Sequence, residues 1–138
     1  MAATDAEAFA CAAESFIGTR FRLHGRDPAS GLDCIGLVAA SLAVIGRAPM
    51  APQGYGLHNL SIARWLDHAA PSGLVPAQGP IGRGDVLLVQ PSPVQHHLMI
   101  ASSAGEVIHA HASLRRVVRQ PLAPGADIAA RWRLAPSN

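Results

Sequence analysis

The stretch SGLDCIGLV, residues Ser30–Val38, places one cysteine between an acidic residue and a run of apolar residues. Asp33 is a good helix-capping residue, and the charge-free apolar segment that starts at Cys34 is typical of a buried helix. Gly46 is suited to end that helix. Cys34 is therefore predicted to lie in the first helical turn, where the helix dipole and a nearby imidazolium would lower the pKa of its thiol.

The composition indicates one compact domain. The chain has 138 residues, of which 49% are hydrophobic and 14% charged, so it can form a core and is too apolar to be disordered. We therefore expect a single domain over residues 1–138. The net charge of +2 is too small to indicate nucleic-acid binding, and Arg115, Arg116 and Arg119 are expected on a solvated strand face.

The N-terminal part is predicted to begin with a helix. Thr4 and Glu7 form a capping box, Gly18 ends the helix, and Cys11 is expected inside it as a small buried side chain. No positive charge precedes Arg20, so we predict no secretory signal and expect a chain that is cytoplasmic as synthesised. The longest apolar run is too short to span a bilayer. With only two cysteines, free thiols are expected rather than a disulfide framework.

The middle of the chain is less regular. Residues 19–31 contain two glycines and one proline without a period, which indicates a loop leading to Cys34. A further helix is predicted within NLSIARWLDHAA, residues 59–70, and residues 71–84 are expected to be irregular because they are rich in proline and glycine.

From Asp85 onward the pattern predicts short β-strands. The apolar runs are DVLLVQ, HLMIAS, EVIHAHA, RRVVRQ and DIAARWRL. An antiparallel sheet of about five strands thus follows the helices, which makes the fold α+β. Gly105 is expected at a left-handed position in the hairpin loop between the second and third runs. In that hairpin His97 lies opposite or diagonal to His109, and His109 and His111 share a face.

Two kinds of site are compatible with this spacing. Cys34, His97 and His109 correspond to the nucleophile, base and orienting group of a thiol hydrolase. Alternatively, His97, His109 and His111 match a three-histidine zinc site with an open position for water. The zinc alternative leaves the pair Asp33 and Cys34 unexplained.

The segments IGTRFRLHG, GLDCIGLV, GDVLLVQ, HLMIA and VIHAHAS, in this order, resemble the NlpC-type family of papain-like cysteine peptidases, which cleave peptidoglycan stem peptides. The resemblance runs from Glu7 to Leu134, and its motif Asp-Cys-x-Gly-Leu is specific. It implies a papain-like fold with N-terminal helices packed on the C-terminal sheet. It also implies hydrolysis of an amide bond in a stem peptide or muropeptide, typically between D-γ-glutamate and a diamino acid, without metal or cofactor.

The resemblance also assigns roles to residues. Cys34 corresponds to the nucleophile, His97 to the general base and His109 to the third residue, which holds the imidazole tautomer. The backbone N–H of Cys34 would supply one oxyanion donor. Asp33 matches a family residue near the substrate's peptide chain. Short family members associated with phage tails are similar, so the expected partners include phage-tail-like proteins, and recycled wall fragments are an alternative substrate.

The chain departs from the family at three places. Ile35 follows the nucleophile at a position where serine is usual in the family. In the preceding loop, His24-Gly25 occupies the place of the family's usual Gly-Gly pair. Phe21 aligns with a tyrosine whose hydroxyl helps stabilise the oxyanion. Because phenylalanine cannot donate a hydrogen bond, His24 is the hypothesised replacement donor. A catalytically silent wall-peptide binding module is a third possibility, based on Phe21 and Ile35.

Overall fold

The computed structural model describes residues 4–47, 73–92 and 95–135. The described part contains two helices followed by a β-sheet, as the sequence predicts. In chain order the elements are α1 (Asp5–Ser15), β1 (Arg26–Asp27), β2 (Gly31–Leu32), α2 (Cys34–Val44), β3 (Leu74–Pro76), β4 (Val86–Ser92), β5 (Gln95–Ala101), β6 (Glu106–His111), β7 (Arg116–Pro121) and β8 (Ile128–Leu134). The helix predicted over residues 59–70 lies outside the described residues. None of the helices in the described ranges is long and apolar enough to cross a membrane.

The main sheet has six strands in the order β3-β8-β4-β5-β6-β7, and every pair in it is antiparallel. Five of these strands are the predicted runs. The sixth, β3, lies in the region expected to be irregular, so that expectation was wrong there. Leu74 is buried and pairs with Leu134 of β8, which shows that a short apolar segment among prolines and glycines can still join a sheet edge.

Both helices begin where the sequence predicts. The Thr4 hydroxyl oxygen accepts a hydrogen bond from the Glu7 N–H at 3.1 Å, which caps α1. The Asp33 carboxylate accepts one from the Gly36 N–H at 2.8 Å, so that Cys34 is the first residue of α2. These caps satisfy backbone donors that the first helical turn leaves unpaired. Gly46, with a φ of +81°, follows the end of α2.

The core lies between the two helices and one face of the sheet. Phe9 of α1 and Leu37 of α2 are fully buried against Leu98, Ile100 and Ile108 of the strands. Burying each such side chain contributes about 1.5–3 kcal/mol, so this contact holds α2 against β5 and β6. The packing fixes the start of α2, where Cys34 lies, relative to the strands that carry the histidines.

The predicted environment of Cys11 was wrong. Cys11 is exposed, and its sulfur lies 3.5 Å from a Glu7 carboxylate oxygen and 3.4 Å from an Arg83 guanidinium nitrogen. Residues four apart share a helix face, so Cys11 lies with Glu7 on the polar face of α1 and away from the face that buries Phe9. Both cysteines are free thiols, as expected.

The position expected for Gly105 was also wrong, because its φ is not positive. The hairpin between β5 and β6 is closed instead by serine: the Ser103 hydroxyl oxygen accepts from the Gly105 N–H at 3.3 Å, and the Ser103 N–H donates to the Glu106 carbonyl at 3.4 Å. A hydroxyl bonded to nearby backbone replaces the glycine conformation that the sequence suggested.

The three arginines expected on one solvated strand face are all exposed, but they do not share a face. Arg115 lies in the turn before β7 with a φ of +61°. Arg116 and Arg119 are three positions apart in β7, so their side chains point to opposite faces.

Candidate active site

Cys34 is half-buried at the start of α2, against strand β5. Backbone N–H groups of Leu98 and Ile35 form hydrogen bonds to its sulfur. Because Leu98 directly follows His97 in β5, the thiol lies beside the strand that carries the predicted base. The start of α2 thus packs against the strand that carries His97, although the two segments are far apart in the sequence.

The loop before Cys34 packs against α2 too closely to admit side chains at two positions. A Cβ atom at Gly36 would overlap the carbonyl oxygen of Gly25, and a Cβ at Gly25 would overlap the carbonyl oxygen of Gly31. These contacts explain the glycine of the Asp-Cys-x-Gly-Leu motif and the second residue of the loop pair His24-Gly25. They hold the loop directly against the helix start.

Asp33 is buried and bonds to the loop as well as to the helix. One carboxylate oxygen accepts from the Gly36 N–H and from the Arg26 guanidinium at 3.0 Å, and the other accepts from the His24 N–H at 2.9 Å. Sequence reasoning missed Arg26, although an arginine seven positions before a predicted cap was a usable signal. Both carboxylate oxygens of Asp33 therefore bind protein groups, and its contact with substrate stays a prediction.

His97 and His109 form a hydrogen-bonded pair. Nε2 of His97 lies 2.8 Å from Nδ1 of His109, and the two rings are nearly perpendicular, at 76°. Strands β5 and β6 pair through Ile100 and Ile108, a register that makes the histidines diagonal neighbours, as predicted. Nδ1 of His97 has no hydrogen-bond partner among the residues that the structure describes.

Gln120 of β7 forms a hydrogen bond to the second ring nitrogen of His109. Its side-chain oxygen lies 2.8 Å from Nε2 of His109, so both ring nitrogens of His109 are engaged. Sequence reasoning missed Gln120, because only the register of β7 against β6 brings it close to His109.

No family model matches the sequence, and no curated protein matches it either. Among solved structures, NlpC2 from Trichomonas vaginalis is 16% identical, with a TM-score of 0.71 over 100% of this chain and 49% of NlpC2. The chain has the NlpC/P60 fold. It thus spans about half the length of NlpC2.

Two other proteins with the NlpC/P60 fold are peptidoglycan hydrolases. The NlpC/p60 domain of SagA is 24% identical, with a TM-score of 0.59 over 90% of this chain and 97% of that domain. RipB from Mycobacterium tuberculosis is 20% identical, with a TM-score of 0.63 over 96% of this chain and 66% of RipB. Two helices and an antiparallel sheet are the α+β arrangement that the resemblance implied.

The protonation of the site differs from the expectation drawn from the helix start. Burial, with a smaller contribution from the Asp33 charge, raises the pKa of the Cys34 thiol to about 12. Burial also lowers the pKa of His97 to about 3, and the neighbouring His109 and His111 add to this. For Cys34, loss of solvation therefore outweighs the backbone hydrogen bonds and the Arg26 charge that favour the thiolate. Before substrate binds, the site holds a neutral thiol and a neutral imidazole.

This protonation state predicts a flat pH profile. If neutral Cys34 and neutral His97 are the reactive forms, kcat/KM should change by less than about twofold from about pH 5 to about pH 9. The acid limb should appear only as pH falls towards the pKa of His97, about 3. Initial rates across this range test the prediction, with circular dichroism at each pH to show that the protein stays folded. A bell-shaped profile inside the range would indicate a preformed thiolate–imidazolium pair.

The oxyanion donors expected from the sequence are the Cys34 N–H and the His24 side chain. The backbone N–H of Cys34 has no hydrogen-bond partner among the described residues, because the Asp33 side chain caps Gly36 instead. Phe21 packs against the core and offers no donor from its side chain. His24 is exposed with a φ of +63°, a conformation that suits the glycine usual in the NlpC-type family. Its N–H donates to Asp33, so the donor hypothesised for His24 is its imidazole.

The hydrogen bonds favour a thiol site over the zinc alternative. Both nitrogens of His109 are used by His97 and Gln120, and Nδ1 of His111 accepts from the Leu114 N–H at 3.1 Å. A zinc ligand needs a ring nitrogen free to face the metal. Within residues 4–47, 73–92 and 95–135, no group of three or more histidine, cysteine or acidic side chains is arranged to hold a metal ion.

Proposed function

We propose that this protein is a cysteine endopeptidase or amidase that hydrolyses amide bonds in peptidoglycan stem peptides. The observation that carries the proposal is the position of the Cys34 thiol against the strand of His97, whose imidazole is bonded to His109. The NlpC/P60 fold, shared with the peptidoglycan hydrolases SagA and RipB, supports the choice of substrate.

The proposed reaction follows from these groups. As the Cys34 sulfur attacks the carbonyl carbon, its proton passes to Nδ1 of His97, and the Cys34 N–H stabilises the oxyanion. The C–N bond then breaks, and His97 returns the proton to the leaving amine. Water, activated by the same imidazole, hydrolyses the thioester and restores the thiol. His109 stabilises the charge on His97 during both steps.

Charge near the site favours an acidic peptide. Leu32 lies two residues before Cys34, and its N–H donates to the Arg20 carbonyl at 2.9 Å. Arg20 also forms an antiparallel β-bridge with Arg116. Both side chains are exposed, and neither forms an ion pair with another described residue. Like charges placed opposite each other on neighbouring strands are destabilising, and a bound anion would reduce their repulsion. A D-γ-glutamyl-diamino acid peptide carries free carboxylates that two such arginines would attract, and the family resemblance implies the same peptide, so we propose that bond as the one cleaved.

A digestion experiment tests the proposed function. The purified protein is incubated with L-Ala-D-γ-Glu-diaminopimelate muropeptides, and the products are identified by mass spectrometry. We expect a product with a newly freed amine on the diamino acid. This product should not form after the protein's thiols are alkylated, and it should still form in the presence of a chelator. Loss of activity with the chelator alone would support the zinc alternative, and binding without cleavage would support a silent binding module.

The second oxyanion donor gives a further prediction. If the His24 imidazole donates, His24→Ala should lower kcat at least about tenfold, and adding Phe21→Tyr should restore much of the loss through its hydroxyl. Steady-state rates of the two single variants and the double variant decide this. A silent His24→Ala together with a faster Phe21→Tyr would instead mean that the wild-type oxyanion hole lacks one donor.

Our proposal for location and partners rests on the sequence alone. We propose synthesis in the cytoplasm, followed either by delivery to the cell wall with phage-tail-like proteins or by action on recycled muropeptides. Immunoprecipitation from the producing cells, with fractionation of cytoplasm and wall, distinguishes the two routes.

A further inference from the structure

We propose that Gln120 is a positioning residue that sets the tautomers of His109 and His97, so that Nδ1 of His97 is unprotonated and able to take the Cys34 proton. The inference rests on the proposed function for its catalytic meaning. The tautomers themselves are properties of the free protein and can be measured without substrate.

Gln120 reaches the histidine pair across the sheet. In the β6–β7 register His109 faces Val118 and Val107 faces Gln120, so Gln120 is a diagonal neighbour of His109 on the same face. Its side chain is half-buried, and its oxygen lies 2.8 Å from Nε2 of His109. His97, His109 and Gln120 thus form a continuous chain of two 2.8 Å hydrogen bonds.

The direction of this chain follows from the amide. A carbonyl oxygen only accepts hydrogen bonds, so Nε2 of His109 must carry the proton. A neutral imidazole has one N–H, which leaves Nδ1 of His109 as an acceptor. Nε2 of His97 must then donate to it, and the lone pair of His97 lies on Nδ1. The amide of Gln120 therefore determines, two rings away, which nitrogen of His97 is basic.

Burial of His109 makes an unsatisfied N–H on its ring costly, which favours one tautomer. His109 is buried, and burial lowers its pKa, so it is neutral and depends on tautomer rather than charge for its hydrogen bonds. Without an acceptor at position 120, a proton on Nε2 of His109 would be left unsatisfied. The proton would then move to Nδ1, Nε2 of His97 would become the acceptor, and Nδ1 of His97 would be protonated and inactive as a base.

Three variants separate a positioning role from a merely structural one. Gln120→Leu removes the acceptor, Gln120→Glu keeps an acceptor and cannot donate, and Gln78→Leu is a control at an exposed position. The readouts are kcat and the nitrogen-15 chemical shifts of the imidazoles. The signals of each ring are assigned from the spectra of His97→Gln and His109→Gln, in which the signals of the replaced histidine are absent. Wild type and Gln120→Glu should show Nε2–H on both histidines.

For Gln120→Leu we expect a signal from Nδ1–H on His97 and a loss in kcat of about tenfold to a hundredfold, the usual effect of removing a group that orients a functional histidine. Gln78→Leu should change neither readout. Nδ1–H on His97 in the wild type, or Nε2–H retained on both histidines in Gln120→Leu, would overturn the proposal even if that variant were slow. Correct wild-type tautomers without any cleavage of muropeptides would contradict only the proposed function.

Discussion

Replacing Cys34 with alanine is expected to lower the rate of muropeptide cleavage about a thousandfold or more. The variant lacks the sulfur that we propose attacks the carbonyl, and the methyl group of alanine cannot act as a nucleophile. Alanine at the first position of α2 keeps the Asp33 cap, so the helix should still form. Release of the diamino acid amine, followed by mass spectrometry, is the measurement.

Cys11→Ala is the matched control for this experiment. It removes a thiol from the exposed side of α1, where the sulfur forms hydrogen bonds with Glu7 and Arg83. We expect unchanged activity in this variant and unchanged circular dichroism in both. A folded Cys34→Ala protein with wild-type activity would rule out the thiol mechanism.

The second large effect is expected at His97. His97→Ala removes the proposed base, and because the pKa of Cys34 is raised to about 12, almost no thiolate forms without a base to take its proton. We expect a loss in kcat of about a hundredfold to ten-thousandfold, the contribution typical of general-base catalysis. Steady-state rates with the same muropeptide measure it.

His109 and His111 supply graded comparisons. His109→Ala should cost less than His97→Ala, because it removes the orienting hydrogen bond and leaves the base. His111→Ala should be mild, since the hydrogen bond of its ring is to the Leu114 N–H. A larger loss for His111→Ala than for His109→Ala would contradict this order and favour the zinc alternative.

Those parts of the fold that depend on neighbours in sequence were predictable. The cap at Asp33, the start of α2 at Cys34 and the end near Gly46 all follow from residues within one helical turn of each boundary. Alternating apolar residues predicted five of the six strands of the main sheet. The pairing of His97 with His109 was also predictable, because a short hairpin sets the register of adjacent strands.

The sequence by itself therefore determined the helix that begins at Cys34, the strand that carries His97 and the proximity of His97 to His109. Tertiary structure decided their chemical state. Burial, which depends on packing between distant segments, made the Cys34 thiol and His97 neutral and opposed the local effect of the helix start. Only the pairing of β7 with β6 brought Gln120 to His109. Solvation and long-range register are sums over the whole fold, so no local pattern in the sequence encodes them.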